Sequence, residues 1–360
     1  MQIMKKQKNN KTPIEILVIG SGNIAIRHIK NIKNIFPNKI IYVLKRTKIQ
    51  LDKFFYSKNI VVIKSLKEIT SMNNKSIAFI CSPASIHSDD IKITIKKGFN
   101  IFVEKPLMTN RNRISSLVNT VSKTNKITHI GYNMRFTNRV DFIKKKIFTH
   151  KISNIKSVHI NVFTDFRKWR NNKNYKETVS FSKALGGGVI NELSHEVDYM
   201  IYLFGKPKSV IVYKIDQHKL KSDVELNIKA IFKYHNNLNI NFCANMLSNE
   251  NERKCIISTK NENITLNHLA NQIKISGKKN SIIRFKDSVN DSYMKEVKYI
   301  FKCISKNVKS IFSIQSLIST QYVLNAMHSS LNQQKRIYLK CIILRLYLQE
   351  ADLKESKTRI

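Results

Sequence analysis

A chain of 360 residues that is 42% hydrophobic can bury one large core or two ordinary ones, so wholesale disorder is excluded. The 64 Lys and Arg against 24 Asp and Glu leave a formal net charge of +40. These basic residues are spread along the chain, with Lys144-Lys145-Lys146 the one short tract, so the charge reads as compositional drift rather than as a nucleic-acid or anionic-membrane footprint. A positive potential would still attract an anionic cofactor and an anionic substrate. No apolar run reaches the roughly 20 residues of a membrane span. The basic leader, residues 1–12, lacks the apolar stretch of a secretory signal. Five scattered cysteines, Cys81, Cys243, Cys255, Cys303 and Cys341, argue against a disulfide framework and against a zinc site, and a reducing cytoplasm is the expected compartment.

In chain order, Glu15 to Ile19 reads as a strand, and Gly22 opens a helix to about Phe36. Strands follow at Ile40–Leu44, Ile60–Ile63 and Ile77–Ile80, with a short helix from Ser65. A helix over Ile86–Lys97 is stopped by Gly98, and a fifth strand runs from Asn100 to Glu104. A helix over Arg111–Lys123 and a sixth strand at Ile127–Ile130 complete an alternation that predicts βαβ units on a parallel sheet, a Rossmann-type domain over 13–131. From 132 to 339 the pattern changes. A strand at Ile155–Phe163 precedes a polar stretch from Asp165 to Leu185, then a helix from the Gly186-Gly187-Gly188 run to Phe204. Alternating segments at 209–213, 224–234, 238–244, 255–258 and 264–266 predict a mostly antiparallel sheet open on one face, closed by helices at 291–305 and 314–331. The expected fold class is therefore α/β, with an N-terminal Rossmann domain, a C-terminal α+β domain and a tail over 340–360.

The chemistry sits at strand ends. Gly20-x-Gly22-x-x-Ala25 lies between a strand and a helix. There Gly20 permits a tight turn, Gly22 lets a pyrophosphate approach, and Ala25 allows close helix packing; Asn23 and Ile24 open the helix whose N–H groups would meet the phosphates. The second strand ends in Lys45-Arg46-Thr47 with no acid for ribose hydroxyls. Arg46 would pair with a 2′-phosphate, which tilts an NAD or NADP choice toward NADP. Ser82, Pro83 and His87 follow the fourth strand and would line the cofactor, although a lone His87 also reads as a packing or capping residue. Glu104-Lys105-Pro106 ends the fifth strand, where Lys105 would donate to a substrate oxygen and Glu104 would hold the ribose or the loop. The bland alternative is a solvated Lys before a helix-starting Pro.

The second constellation is Gly186-Gly187-Gly188-Val189-Ile190-Asn191-Glu192-Leu193-Ser194-His195-Glu196-Val197-Asp198-Tyr199. On one continuous helix, Asn191, Glu192, His195, Asp198 and Tyr199 share a side. A carboxylate one turn from a His suits a general acid/base; a buried structural His is the alternative, and no second His stands where a metal pair needs it. The three glycines would let a ligand approach. Arg135, Arg167, Trp169, Arg170 and Tyr175 are candidate substrate contacts, Arg being suited to phosphate or carboxylate.

These pieces, GSGNIA, CSPASIH, KKGFNIFVEKPL, GYNMRF and GGGVINELSHEVD, stand in the order in which the glucose–fructose oxidoreductase/inositol dehydrogenase/MocA family carries them, and the chain resembles that family from about Ile14 to Leu339. The stretch from Trp169 to the triple glycine is similar to a subgroup common beside bacterial surface-polysaccharide genes. The resemblance implies a Rossmann domain, an α/β domain whose open sheet builds homo-oligomers, Lys105 as catalytic lysine and His195 as acid/base toward a sugar or sugar-nucleotide. Many members carry an Asp four residues before this His. Here Asn191 stands there, so either Glu192 supplies the carboxylate or the dyad is altered. A competing class is a cofactor-binding regulator or assembly protein of the same fold.

Overall fold

The computed structural model describes residues 15–46, 51–69, 72–149, 154–169, 174–215 and 222–339. The basic leader, Thr47, Arg170, Cys341 and the 340–360 tail lie outside them. The chain forms two compact units, one ending at Gly131 and taking up Tyr293–Ser316, the other holding the remainder from Tyr132 on.

In the first unit the order is β1 (Ile16–Ile19), α1 (Asn23–Ile35), β2 (Ile41–Leu44), β3 (Ile60–Ile63), β4 (Ile77–Ile80), α2 (His87–Lys96), β5 (Asn100–Glu104), α3 (Ile114–Ser122) and β6 (Thr128–Gly131). All six strands are parallel, in the order β3-β2-β1-β4-β5-β6. The sequence order reverses at β1, which makes the carboxyl edge beside β1 and β4 the ligand-binding crevice of such sheets. Helices cover both faces, so the inner strands β1, β4 and β5 are buried on both sides and read as apolar runs. One face packs Ile16, Val18, Ile41, Val43, Ile77 and Phe79 against Ala25, Ile29 and Ile32 of α1. Val297, Ile300, Phe301 and Ile304 join the same core, which is why residues 293–316 count with this unit. The sequence pattern groups this segment with the C-terminal domain, over 132–339. Its apolar stripe does not announce partners so far upstream in the chain.

The second unit follows with α4 (Asn138–Phe148), β7 (Ser157–Asp165), α5 (Val189–Glu192), α6 (Ser194–Phe204), β8 (Ser209–Lys214), β9 (Asn227–Lys233), β10 (Asn239–Asn245), β11 (Leu247–Ser258), β12 (Glu262–Asn267), β13 (Gln272–Gly277) and β14 (Ser281–Arg284). The last elements are α7 (Val289–Lys306), α8 (Ile314–Gln333) and β15 (Ile337–Tyr338). Nine strands form one sheet in the order β14-β13-β12-β11-β7-β10-β9-β8-β15. Every pair is antiparallel except β7 with β10. Alternate residues such as Val158, Ile160, Ala230, Phe232, Ile240 and Phe242 face the core with Val197, Met200, Leu324 and Met327. Their neighbours Lys229, Ile231, Lys233, Asn241, Cys243 and Asn245 stand on the other, partly open face.

Two differences from the sequence reading bear on the site. The expected helix from the triple glycine to Phe204 is broken at Leu193 (φ −100°, ψ 28°), leaving the short α5 and a separate α6. And β11 begins at Leu247, not Cys255, through a polar stretch that becomes strand by pairing with β7 around a register shift. No described helix is long and apolar enough to cross a membrane.

Candidate cofactor and catalytic site

Gly20 has φ +109°, and a Cβ there would stand 2.6 Å from the Cys81 carbonyl oxygen. The turn after β1 therefore presses on the loop after β4, a fit only glycine allows. Gly22 is different: it caps α1, and no atom lies within 4 Å of where its Cβ would be. No side chain caps this helix, and its first turn carries no acid. Its first N–H groups and positive dipole end are thus left for an anion, and the open approach at Gly22 gives a pyrophosphate room. Asn23 is exposed, Ile24 is half-buried, and Ala25 is fully buried under the helix. The residues present fit a dinucleotide.

Arg46 emerges after β2 and pairs through Nη1 with the buried Asp90 of α2. The other Asp90 oxygen accepts the Ser82 hydroxyl at 2.6 Å. Ser82, expected to line the cofactor, thus commits its hydroxyl to Asp90, while the Arg46 side chain stays 38% exposed. Pro83 starts the turn into α2, its carbonyl accepting from the Ile86 N–H. His87 is buried, with Nε2 2.8 Å from the Ser82 carbonyl and Nδ1 3.0 Å from the Pro106 carbonyl. Burial lowers its pKa, against the opposing pull of those two carbonyls and of Asp90 and Glu104. Its ring thus bridges two loops.

Glu104 is only 6% exposed. One oxygen lies 2.6 Å from Nε2 of His28, and the other accepts the Lys105 backbone N–H at 3.2 Å. These contacts are those of the loop brace, one of the two roles expected of Glu104. Lys105 follows at the carboxyl end of β5, half-buried and joined to Pro106 by a cis peptide bond.

In the second unit, His195 opens α6, is 8% exposed and meets the Tyr132 ring edge-on at 5.9 Å. Glu192 ends α5, and its Oε1 accepts the Ser180 hydroxyl at 2.8 Å. Because the helix breaks between them, Glu192 and His195 do not lie on one continuous helical face as the spacing predicted. Asn191 is committed elsewhere: its amide N–H groups bond the Gly186 and Gly187 carbonyls at 3.1 and 3.2 Å, and its oxygen faces His328 Nε2 at 3.0 Å. The triple glycine is also explained from within. A Cβ on Gly187 would lie 2.4 Å from the Val179 carbonyl oxygen, and Gly188 (φ +99°) abuts the Glu225 carboxylate. The space expected for a ligand is filled by the chain itself. Glu225 in turn accepts the Ile190 N–H and so anchors α5, and burial raises its pKa.

Two of the arginines expected to meet substrate, Arg135 and Arg167, have partners within the fold. Arg135 grips Asp198 with two bonds of 2.6 and 2.8 Å and lies over the Tyr202 ring, and Thr320 donates to the same carboxylate. Arg167 makes the same fork to Asp165 and holds that carboxyl below its usual range. Tyr175 packs its ring between Phe166 and Phe181. Trp169 is 38% exposed, with its indole N–H on Thr164; the Arg167 side chain is exposed as well. Sequence reasoning missed His28, Glu225 and His328. His28 did leave a signal, a polar residue on the apolar stripe of Ala25, Ile29 and Ile32.

A six-stranded parallel sheet with an uncapped helix at its glycine turn, and a large mixed sheet later in the chain, is the architecture of a two-domain dinucleotide-dependent oxidoreductase. Residues 14–132 match the oxidoreductase family described by its NAD-binding Rossmann fold, and 144–339 match its C-terminal alpha/beta domain. The chain belongs to this Gfo/Idh/MocA oxidoreductase family. It is 22% identical over 276 residues to an oxidoreductase of Formosa agariphila, covering 74% of this chain and 82% of that one. To the glucose-6-phosphate 3-dehydrogenase of Bacillus subtilis it is 24% identical over 196 residues, 53% of each chain. Matches to several of these curated relatives thus span only about half of their length. Among solved structures, a levoglucosan dehydrogenase in complex with NADH and levoglucosan has the same fold (TM-score 0.78, 15% identity, 91% of this chain and 99% of that one). So does the WlbA dehydrogenase of Bordetella pertussis in complex with NADH and UDP-GlcNAcA (TM-score 0.76, 17% identity, 91% and 97%).

Proposed function

We propose that the protein is an NAD(P)-dependent dehydrogenase or reductase acting on a CH–OH carbon of a sugar or sugar-nucleotide, in bacterial surface-polysaccharide metabolism. When bound, the nicotinamide cofactor supplies the hydride acceptor or donor. The Gly20–Gly22 turn and the N-terminus of α1 would hold its pyrophosphate. Lys105 would donate a hydrogen bond to the substrate oxygen and stabilise the negative charge that develops there. His195 would take up or return the hydroxyl proton. Glu192 is assigned the supporting carboxylate, since Asn191 is spent on the glycine turn. Arg46, whose guanidinium is partly exposed after an acid-free β2, tilts the cofactor choice toward NADP. Trp169 is the retained substrate contact, and Arg170 stays a candidate from sequence alone. The open face of the nine-stranded sheet is offered as a homo-oligomer surface.

The observation that carries this reading is the open, uncapped Gly22 turn on a sheet whose β5 ends in Glu104-Lys105-Pro106. Support for the substrate class comes from the sugar and sugar-nucleotide dehydrogenases to which the chain is similar. The test replaces Lys105 and His195 by Ala. Turnover on a panel of UDP-sugar acids, inositols and anhydrosugars should fall about 10²–10⁴-fold, while NADH and NADPH binding by fluorescence titration persists. Unchanged turnover in either variant removes that residue from the chemistry.

A further inference from the structure

The two residues that flank the Lys105 side chain are each gripped by a buried histidine. On one side, His28 of α1 is fully buried, with its ring centroid 4.9 Å from that of Phe102 and 5.5 Å from that of Phe79. Its Nε2 meets Glu104 at 2.6 Å, while Nδ1 has no hydrogen-bond partner among the described residues. A proton on Nδ1 would find no acceptor, so the neutral ring carries its proton on Nε2 and donates it to Glu104. Gly131 of β6 leaves room for this carboxylate, since a Cβ there would stand only 3.1 Å from Oε1. The other Glu104 oxygen then holds the Lys105 backbone N–H. On the far side, His87 of α2 reaches the Pro106 carbonyl at 3.0 Å with one ring nitrogen and the Ser82 carbonyl at 2.8 Å with the other. Both faced atoms are acceptors, so a neutral ring donates to one and an imidazolium to both.

We propose that His28 and His87 are positioning residues that clamp the Glu104-Lys105-Pro106 turn and tie it to the helix and loop where the dinucleotide would bind. This rests on the reading of Lys105 as the residue that polarises substrate. Neither histidine touches substrate in this scheme. Each acts through a neighbour of Lys105, His28 from the helix that begins at Gly22 and His87 from the segment that follows β4. A catalytic amine must be held to a fraction of an ångström, and a half-buried four-carbon side chain has no such order unless its backbone is fixed.

The test is amide hydrogen exchange, read by mass spectrometry on the full chain, for His28→Leu and His87→Leu, with His28→Gln and His87→Gln as conservative restorations. In the Leu variants, exchange in the peptide spanning Phe102–Met108 should rise roughly tenfold or more, and the Gln variants should recover most of it. Peptides from β1 and β2 should be unchanged, and NADH binding should stay within about threefold of the parent. Unchanged exchange around Lys105 overturns the proposal, and so does a rise shared equally by β1 and β2, which would mark the histidines as core packing only. If a Leu variant does not fold, Glu104→Gln decides: it keeps the volume and removes the charge, and absence of a local rise overturns the clamp. Turnover of Lys105→Ala is measured alongside. Its being unchanged sinks the catalytic reading, whereas the clamp stands or falls on the local exchange.

Discussion

Gly20 and Gly22 stand two residues apart and answer to different forces. At Gly20 a side chain meets both a positive φ and the Cys81 carbonyl, so Gly20→Ala should cost about 1–3 kcal/mol or more in urea unfolding. Gly22→Ala meets nothing within 4 Å, so its stability loss should stay at about 1 kcal/mol or less, while NADH affinity falls because the methyl group faces the incoming pyrophosphate. NADH affinity of Gly22→Ala equal to the parent's would refute the assignment of the turn. Arg135 separates structure from substrate in the same manner. Removing it strands the fully buried Asp198 carboxylate with only Thr320, and Arg135→Ala should lose about 3–5 kcal/mol of stability. A raised KM with unchanged stability would instead restore it to the substrate site. The candidate residues of the site were named from the sequence. Their commitments were not, because Asn191, Glu104 and Ser82 are bound by partners that composition and spacing do not name.

Strands buried on both faces, such as β1 and β4, declare themselves as four-residue apolar runs, and their limits were read almost to the residue. The stretch that starts β11 could not be read so, since Ser248 to Lys254 is polar and becomes strand only by pairing with β7. The break at Leu193 has a similar origin. Glu225 and His328 hold the start of α5 from distant parts of the chain, and the local sequence would support a single helix. For α7 the helix was evident but its partner was not. Ile300 is fully buried in the core of the Rossmann sheet, so Ile300→Ala should cost about 2–5 kcal/mol. Protection from exchange should then drop in β1 and β2. A loss confined to the second unit would contradict the placement of α7.

For the whole molecule, two histidines set a pH dependence. Burial lowers the pKa of His87, and burial together with Arg253 and Arg139 lowers that of His268 well below its ordinary value. The unfolded chain takes up these protons near pH 6.5 and the folded chain does not, so stability is full above about pH 6.5 and declines as the pH falls toward the folded values. Thermal unfolding between pH 7.5 and 5 checks this: the decline should shrink in His87→Gln, and a decline of equal size would assign it to other groups. The net charge of +40 should produce weak, sequence-blind binding to DNA that disappears at moderate salt; binding that survives there would reopen a nucleic-acid role. By itself the sequence determined the parallel Rossmann sheet, the glycine turn and the strand-end position of Lys105, because buried strands and phosphate turns are written in local periodicity and in residues with special backbone freedom. Only the tertiary structure decided that α7 completes the first core, that the triple glycine accommodates Glu225 rather than a ligand, and that two buried histidines hold the lysine turn. Each of these depends on which polar and apolar groups must satisfy one another once distant segments leave water, and no local pattern encodes that.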